Sequence, residues 1–447
     1  MPRPLRMGRW VAVVLAVGAY GASPRAAGAG DQPADKQEAP RLEAPFKRRK
    51  PTTEEELRRQ LRDVPEAGFD QQAAGELYAP IVQSLKANPS QNSPPADLGM
   101  KALQEKARRD KRPDAALLPW LPGPDNVLAK EEAEQLQNLS LKLRTELRRA
   151  ATRNRSGAEK LPPALLASDW TKPPAVPTVT QMLQTEPTDV RLLLVDVLAR
   201  TVGKEAGVAL AKRAVFDLSP EVRGRAVRAL ALRPADEYTR VLYDGFRYPW
   251  PAAADHAAEA AAELKRFDMV PELMKLLTEP DPRLPFKVGQ GYAVREVVRV
   301  NHLCNCVLCH APSLERDDRV RGPVPSPGER FEPYYSRRSD GLFVRADLTY
   351  LRQDFSVVQP VAAPGKWPAE QRYDYLVRTR PLSASEQAEF QKAEAEGTLP
   401  KGSPQRGAVL FALNELTGKG NGNAVQDGID GAWGPESRPR TQQPDPK

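Results

Sequence analysis

Apolar positions recur every three to four residues through most of this chain, which predicts helices; alternation every second residue appears only briefly near the C-terminal end. Thr52 or Thr53, with Glu55 or Glu56 three residues on, makes a capping box ahead of Leu57 and Leu61. A charged, weakly amphipathic segment covers 97–110. Between 128 and 151, Ala133, Leu136, Leu139, Leu143, Leu147 and Ala150 mark one face of a long helix. The apolar turn Leu117-Leu-Pro-Trp120-Leu-Pro122 is a candidate neighbour for that face.

From about 176 the helical pattern repeats. Leu194-Val-Asp-Val-Leu-Ala-Arg200, Val227-Arg-Ala-Leu-Ala-Leu-Arg233 and Ala260-Ala-Ala-Glu-Leu-Lys-Arg266 end alike, and Arg200, Arg233, Arg266 and Arg299 recur at a spacing of 33. Each copy carries a short helix, a proline-bearing turn and a longer helix; the turns fall at Glu186-Pro-Thr-Asp189, Ser219-Pro-Glu221, Pro249-Trp-Pro251 and Asp281-Pro282. A fixed period built from helix pairs predicts an α-solenoid. Tyr292-Ala-Val-Arg-Glu-Val-Val-Arg299 reads as the long helix of a fourth copy. Strands are expected only after residue 340, where Val344, Ala346, Leu348 and Tyr350 alternate and Phe355 and Val357 follow, with a hairpin around Arg352-Gln-Asp354. Ser383 to Glu396 reads as a charged helix capped by Ser383, and Arg406 to Leu416 as a closing apolar helix stopped at Thr417-Gly418.

The clearest copy, Ser219-Pro-Glu-Val-Arg-Gly-Arg-Ala-Val-Arg-Ala-Leu230, resembles the second helix of a short bacterial HEAT-like repeat. Asp189-Val190-Arg191 echoes its Val-Arg pair, and the third copy puts His256 where Arg223 stands. The resemblance covers about 176–304 and implies a mainly α fold, a HEAT-like α-solenoid flanked by a helical N-terminal region and a short β-containing segment after residue 340. It also implies a protein partner on the concave face of the array, and no particular reaction.

Composition refines this picture. Residues 1–30 combine Arg3, Arg6 and Arg9, the short apolar run Trp10 to Ala19, and the small-residue site Ala27-Gly28-Ala29, the pattern of a signal peptide. The apolar run is too short to span a bilayer, so the expected location is periplasmic or secreted, and membrane association would require an uncleaved leader. That leader holds four arginines and no acid, so the net charge of +8 falls to +4 without it, which gives no argument for a nucleic-acid partner. The expected organisation is signal peptide 1–30, polar linker 31–51, helical region 52–175, repeats 176–310, loop, short strands and closing helix 311–418, and polar tail 419–447. Three histidines are too few to favour a Ser-His-Asp hydrolase, and neither a phosphate loop nor a dinucleotide fingerprint occurs.

The chemistry is concentrated in His302-Leu-Cys304-Asn-Cys306-Val-Leu-Cys309-His310: all three cysteines and two of the three histidines fall within nine residues. Cys306-Val-Leu-Cys309-His310 is C-x-x-C-H, the attachment pattern of a c-type haem. Two thiols at that spacing reach both vinyl groups of one porphyrin, and the next imidazole then serves as axial ligand of the iron. Haem c at Cys306, Cys309 and His310 is therefore the expected cofactor, for electron transfer or sensing. Cys304 to Cys309 offers a longer alternative spacing, a Cys306–Cys309 disulfide is sterically allowed, and three thiols with one imidazole are zinc-type ligands, although adjacent Cys309 and His310 suit one tetrahedron poorly. The competing function is a purely protein-binding scaffold with a local disulfide. No Met or His follows His310, so the iron is expected to be five-coordinate or bound by two histidines, the second coming from upstream. Met274 falls on a core face with Leu273 and Leu277; in a continuous helix His302 would lie about 12 Å from His310 along the axis; Met269 and His256 remain, with His256 the better of the two.

Overall fold

Thr53 caps the first helix, its hydroxyl accepting from the Glu56 amide at 3.2 Å, and the helix, α1 (Glu54–Arg62), turns Leu57 and Leu61 fully into the core. Burying two leucines contributes about 2 kcal/mol each, enough to fix a nine-residue helix with no stability of its own. The computed structural model describes residues 52–67, 171–306, 310–313, 321–325, 343–349, 353–399 and 403–418, all within one unit, Ala44–Lys447. The leader, the 31–51 linker, the helices expected at 97–110 and 128–151, the turn at Trp120 and the 419–447 tail lie outside the described residues. No described helix is long and apolar enough to cross a membrane.

Among the described residues seven α-helices follow before the first strand: α2 (Val176–Leu183), α3 (Thr188–Arg200), α4 (Lys204–Phe216), α5 (Pro220–Leu230), α6 (Thr239–Phe246), α7 (Pro251–Glu263) and α8 (Val270–Leu276). The repeated Val-Arg pair has a physical meaning here. Val190 and Val222 enter the core, while their neighbours Arg191 and Arg223 fold back onto one turn. Arg191 Nε donates to Asp217 Oδ2 at 3.1 Å, and Arg223 Nη1 donates to the carbonyls of Asp217 and Leu218 at 3.1 Å each. Of the periodic arginines, Arg233 clamps a turn in the same manner, through the carbonyls of Thr201 and Gly203, whereas Arg266 donates to Thr239 Oγ1 at the start of a helix. Helices α6 and α7 approach closely because Gly245 has no side chain; a Cβ there would lie 2.9 Å from that of Ala257.

The helix pairs do not make a solenoid, and the mainly α, HEAT-like expectation is overturned: the protein is a mixture of helices and antiparallel sheet. The decisive segment is Tyr292–Arg299, expected as a fourth long helix. It is the centre of strand β2 (Gly291–Asn301), which follows the short β1 (Phe286–Val288). Valines 294, 297, 298 and 300 are β-branched and lose side-chain freedom in a helix, while a pleated sheet accepts them on both faces. Strands therefore begin well before residue 340. The regular spacing of Arg299 was coincidental; its guanidinium lies over the Tyr373 ring at 4.6 Å and pairs with Glu66 at 3.5 Å.

Two sheets are present among the described residues. The larger runs β1-β2-β7-β6, with β6 (Phe355–Pro360) and β7 (Glu370–Pro381), all antiparallel. The smaller runs β3-β5-β4, with β3 (His310–Pro312), β4 (Arg321–Pro323) and β5 (Phe343–Thr349). The expected hairpin around Asp354 is thus not formed, because β5 and β6 belong to different sheets. Strand alternation gives the larger sheet two characters. Val297, Phe355, Val357, Tyr373 and Tyr375 join the helical core, where Phe355 stacks on Tyr375 at 4.9 Å and on Phe216 at 5.1 Å. Ser356 and Asp374, paired across β6 and β7, lie in the opposite register. Beyond β1, the edge of β2 is covered by the chain after α1: Arg299 N donates to Pro65 O at 2.9 Å and Ala67 N to Arg299 O at 2.8 Å. Helix α9 (Ala384–Ala395) carries a full Ser383–Glu386 capping box, and α10 (Pro404–Thr417), ended by left-handed Gly418, packs on α7 and α8.

Candidate functional site

Strand β2 delivers the chain to its thiol turn, and Asn301 shapes that turn. Its Nδ2 donates to Gln371 Oε1 at 2.6 Å, its Oδ1 accepts the Leu303 amide at 3.0 Å, and its carbonyl accepts Asn305 Nδ2 at 2.9 Å. Asn side chains favour such local bonds, which turn the backbone away from a regular ladder. The His302 amide still donates to Arg372 O at 2.9 Å, so the strand ends one residue later in its hydrogen bonding than in its geometry.

The His302 ring is held by a buried network. Its Nδ1 donates to Asp374 Oδ2 at 2.8 Å, while Asp374 Oδ1 accepts from Arg372 Nε at 2.8 Å and from the Ser356 hydroxyl. Arg372 in turn reaches the carbonyl and side-chain oxygen of Gln181 on α2, at 2.9 and 2.6 Å. Burial alone would raise the Asp374 pKa, but Arg372, His302 and Ser356 outweigh it and hold the carboxyl well below the usual range. Asp374 is therefore a fixed anion under an oriented imidazole.

Cys306 lies in the same turn. Its thiol donates to the carbonyls of His302 and Leu303 at 3.4 and 3.7 Å, and the residue is buried. Burial, with a smaller effect of neighbouring Cys304, pushes the thiol up to about 12, so it stays protonated at neutral pH. Cys304 is half-buried, and neither it nor Cys306 is in a disulfide. Residues 307–309, Cys309 among them, lie outside the described residues. His310 is half-buried and opens β3, where it pairs with Thr349 ahead of a bulge. Among the described residues no group of three or more His, Cys, Asp or Glu side chains converges as a metal site.

His256 is placed differently. On α7, it donates through Nδ1 to the Val215 carbonyl of α4 at 2.8 Å and meets Trp250 edge-on at 6.3 Å. Burial, helped by the charge of Arg223, brings its pKa down to about 3, which keeps it neutral. The residues that sequence reasoning missed are Arg372, Ser356 and Asp374. A signal existed: Asp374 interrupts Tyr373-Asp-Tyr-Leu-Val377, an otherwise apolar run in which a lone acid needs a partner. No family model, curated protein or solved structure matches the chain.

Proposed function

We propose that this chain is an exported carrier of one c-type haem, held through Cys306 and Cys309 with His310 on the iron, serving electron transfer or sensing. The observation that supports it most is the C-x-x-C-H pattern at the end of β2, where the protein has gathered all its thiols and two of its three histidines. The donor set fits the group in kind. Neither Cys304 nor Cys306 is in a disulfide, and burial keeps Cys306 the neutral thiol that thioether formation would consume. Each thiol would add its S–H across a vinyl group, sulfur to one carbon and hydrogen to the other, so no oxidant would be needed. The contacts that Cys306 would give up are S–H donations of 3.4 and 3.7 Å, among the weaker hydrogen bonds of the turn.

When bound, the haem would supply reversible one-electron exchange or a site for a small ligand. The chain's contribution is to fix both ends of the motif. Asn301 and Asn305 set the backbone before Cys306, and pairing of β3 with β5 sets the backbone of His310. The leader expected at residues 1–30 fits this chemistry, since attachment to thiols takes place outside the cytosol. A protein partner follows from electron exchange. With the solenoid gone, however, the concave face has no counterpart on which to place it.

The test is an alkaline pyridine haemochrome spectrum, with intact mass, on full-length protein made with a haem-attachment system. One haem per chain, carried through denaturation, supports the reading. A haem-free protein with two cysteines lost to thiol titration would replace it by the disulfide-bearing scaffold.

A further inference from the structure

Outside the thiol turn, three charged side chains meet between the helical layer and the larger sheet. Lys212 stands one helical turn before Phe216 on α4, so the two share a face. Phe216 stacks on Phe355 at 5.1 Å and meets Tyr248 edge-on at 4.9 Å, which brings Lys212 within electrostatic range of Asp354, the residue before β6. The Tyr248 hydroxyl donates to Asp354 Oδ2 at 2.8 Å. Arg295 comes from β2. With Val297, a member of the helical core, it lies on the face of the sheet turned to the helices, and its charge also acts on Asp354.

These charges do not close on one another. Two cations face one carboxylate, and among the described residues neither Lys212 nor Arg295 has an ion pair or a side-chain hydrogen bond. Burial lowers the Lys212 pKa against the pull of Asp354, and it raises that of Asp354 against both cations. The excess of one positive charge suits one negative charge from outside. Beside it lies an apolar lip. Phe286 pairs with Ala293 and Val288 with Gly291, so both stand on the same face of the sheet as Arg295, and they are 39 % and 54 % exposed. Phe286 and Arg295 are diagonal neighbours, about 7–8 Å apart and within reach of long side chains. We propose that Lys212 and Arg295 bind the carboxylate of a medium-chain fatty acid whose tail lies along Phe286 and Val288. Asp354, held by Tyr248, competes for the same cations and sets the affinity. A phosphate dianion would exceed the charge and meet Asp354, and acetate would leave the lip uncovered. The site is independent of the haem.

The experiment is calorimetric titration of full-length protein with submicellar sodium decanoate at pH 7. One decanoate per chain should bind, with acetate and inorganic phosphate weaker by about tenfold or more. Arg295→Gln and Lys212→Met should each weaken decanoate by about tenfold or more, through loss of a charge-assisted hydrogen bond. Val288→Ser changes an exposed side chain and keeps the test open where a half-buried variant does not fold; it should weaken decanoate and leave acetate unchanged. Asp354→Asn should bind decanoate more tightly, because the competing anion is gone, whereas a merely structural Lys212–Asp354 pairing gives no gain. The inference is overturned by decanoate that does not bind, or that binds no more tightly than acetate or phosphate. It is equally overturned if Arg295→Gln and Val288→Ser bind decanoate as wild type does, or if Asp354→Asn shows no gain.

Discussion

The neutral histidine inside the helical layer should make this protein sensitive to mild acid. His256 has an ordinary pKa of 6.5 when exposed and about 3 in the fold, chiefly because it is buried, with Arg223 of α5 adding to the effect. Arg223 is itself paired with Glu259 at 3.7 Å, and Trp250 meets the ring edge-on. A base whose folded pKa is lowered stabilises the fold fully above its unfolded pKa, and that stability is lost as pH falls from 6.5 toward 3. At 1.36 kcal/mol per unit, the fold should lose about 2 kcal/mol by pH 5 relative to pH 7. His256→Gln keeps an N–H for the Val215 carbonyl and removes the titration. Urea unfolding of both proteins at pH 7, 6 and 5 isolates the effect, because His302 and His310 are common to both and cancel. Two stability curves that run parallel from pH 7 to pH 5 would refute the reasoning.

Three further outcomes follow from single sites. Asp374→Asn should cost about 3 kcal/mol, since it leaves Arg372 without its buried anion; urea titration at pH 7 checks it. Because the folded pKa of Asp374 is depressed, that stability is present above about pH 4 and lost only as pH falls below it. Gly245→Ala should cost about 1–3 kcal/mol, as the new methyl meets Ala257 at 2.9 Å and Val215 at 3.2 Å; an unchanged thermal midpoint would remove the close α6–α7 contact. For the thiols, Cys309→Ala should retain at most one thioether and Cys304→Ala both, by intact mass and haem stain; the reverse roles for Cys304 and Cys306 would establish the longer spacing.

Local signals were legible in the sequence where one residue acts on its own backbone. Thr53, Ser383 and Gly418 announce the ends of α1, α9 and α10 because capping depends on a side chain and the amides beside it. The Val-Arg pairs were visible too, but their cause was not, since it lies in the turn that Arg191 and Arg223 bind rather than in a repeating array. The larger sheet was hidden for a different reason. In β2, Ala293 and Val297 stand four apart, as do Val294 and Val298, so a two-residue alternation with valine on both faces mimics a helical stripe. The partner of β2 is β7, more than seventy residues away, and nothing local in Tyr292–Arg299 points to it. The same distance explains the site. The motif was readable because it is contiguous, whereas His302 and Asp374 are 72 residues apart and meet only across that strand pair.

The central place of β7 in the larger sheet also sets an order of events. Its neighbours β2 and β6 both precede it in the chain and pair only through it, so neither can complete its ladder until residues 370–381 have been made and delivered. The Pro65–Ala67 segment waits longest, because it seals β2 across more than two hundred residues. Long-range pairings of this kind form late and slowly. During that interval the Asp374 lock is absent and the Cys306 thiol is not yet enclosed. Chemistry on that thiol therefore has a kinetic window that closes with the arrival of β7, and a chain that folds before it is modified has turned its reactive sulfur inward.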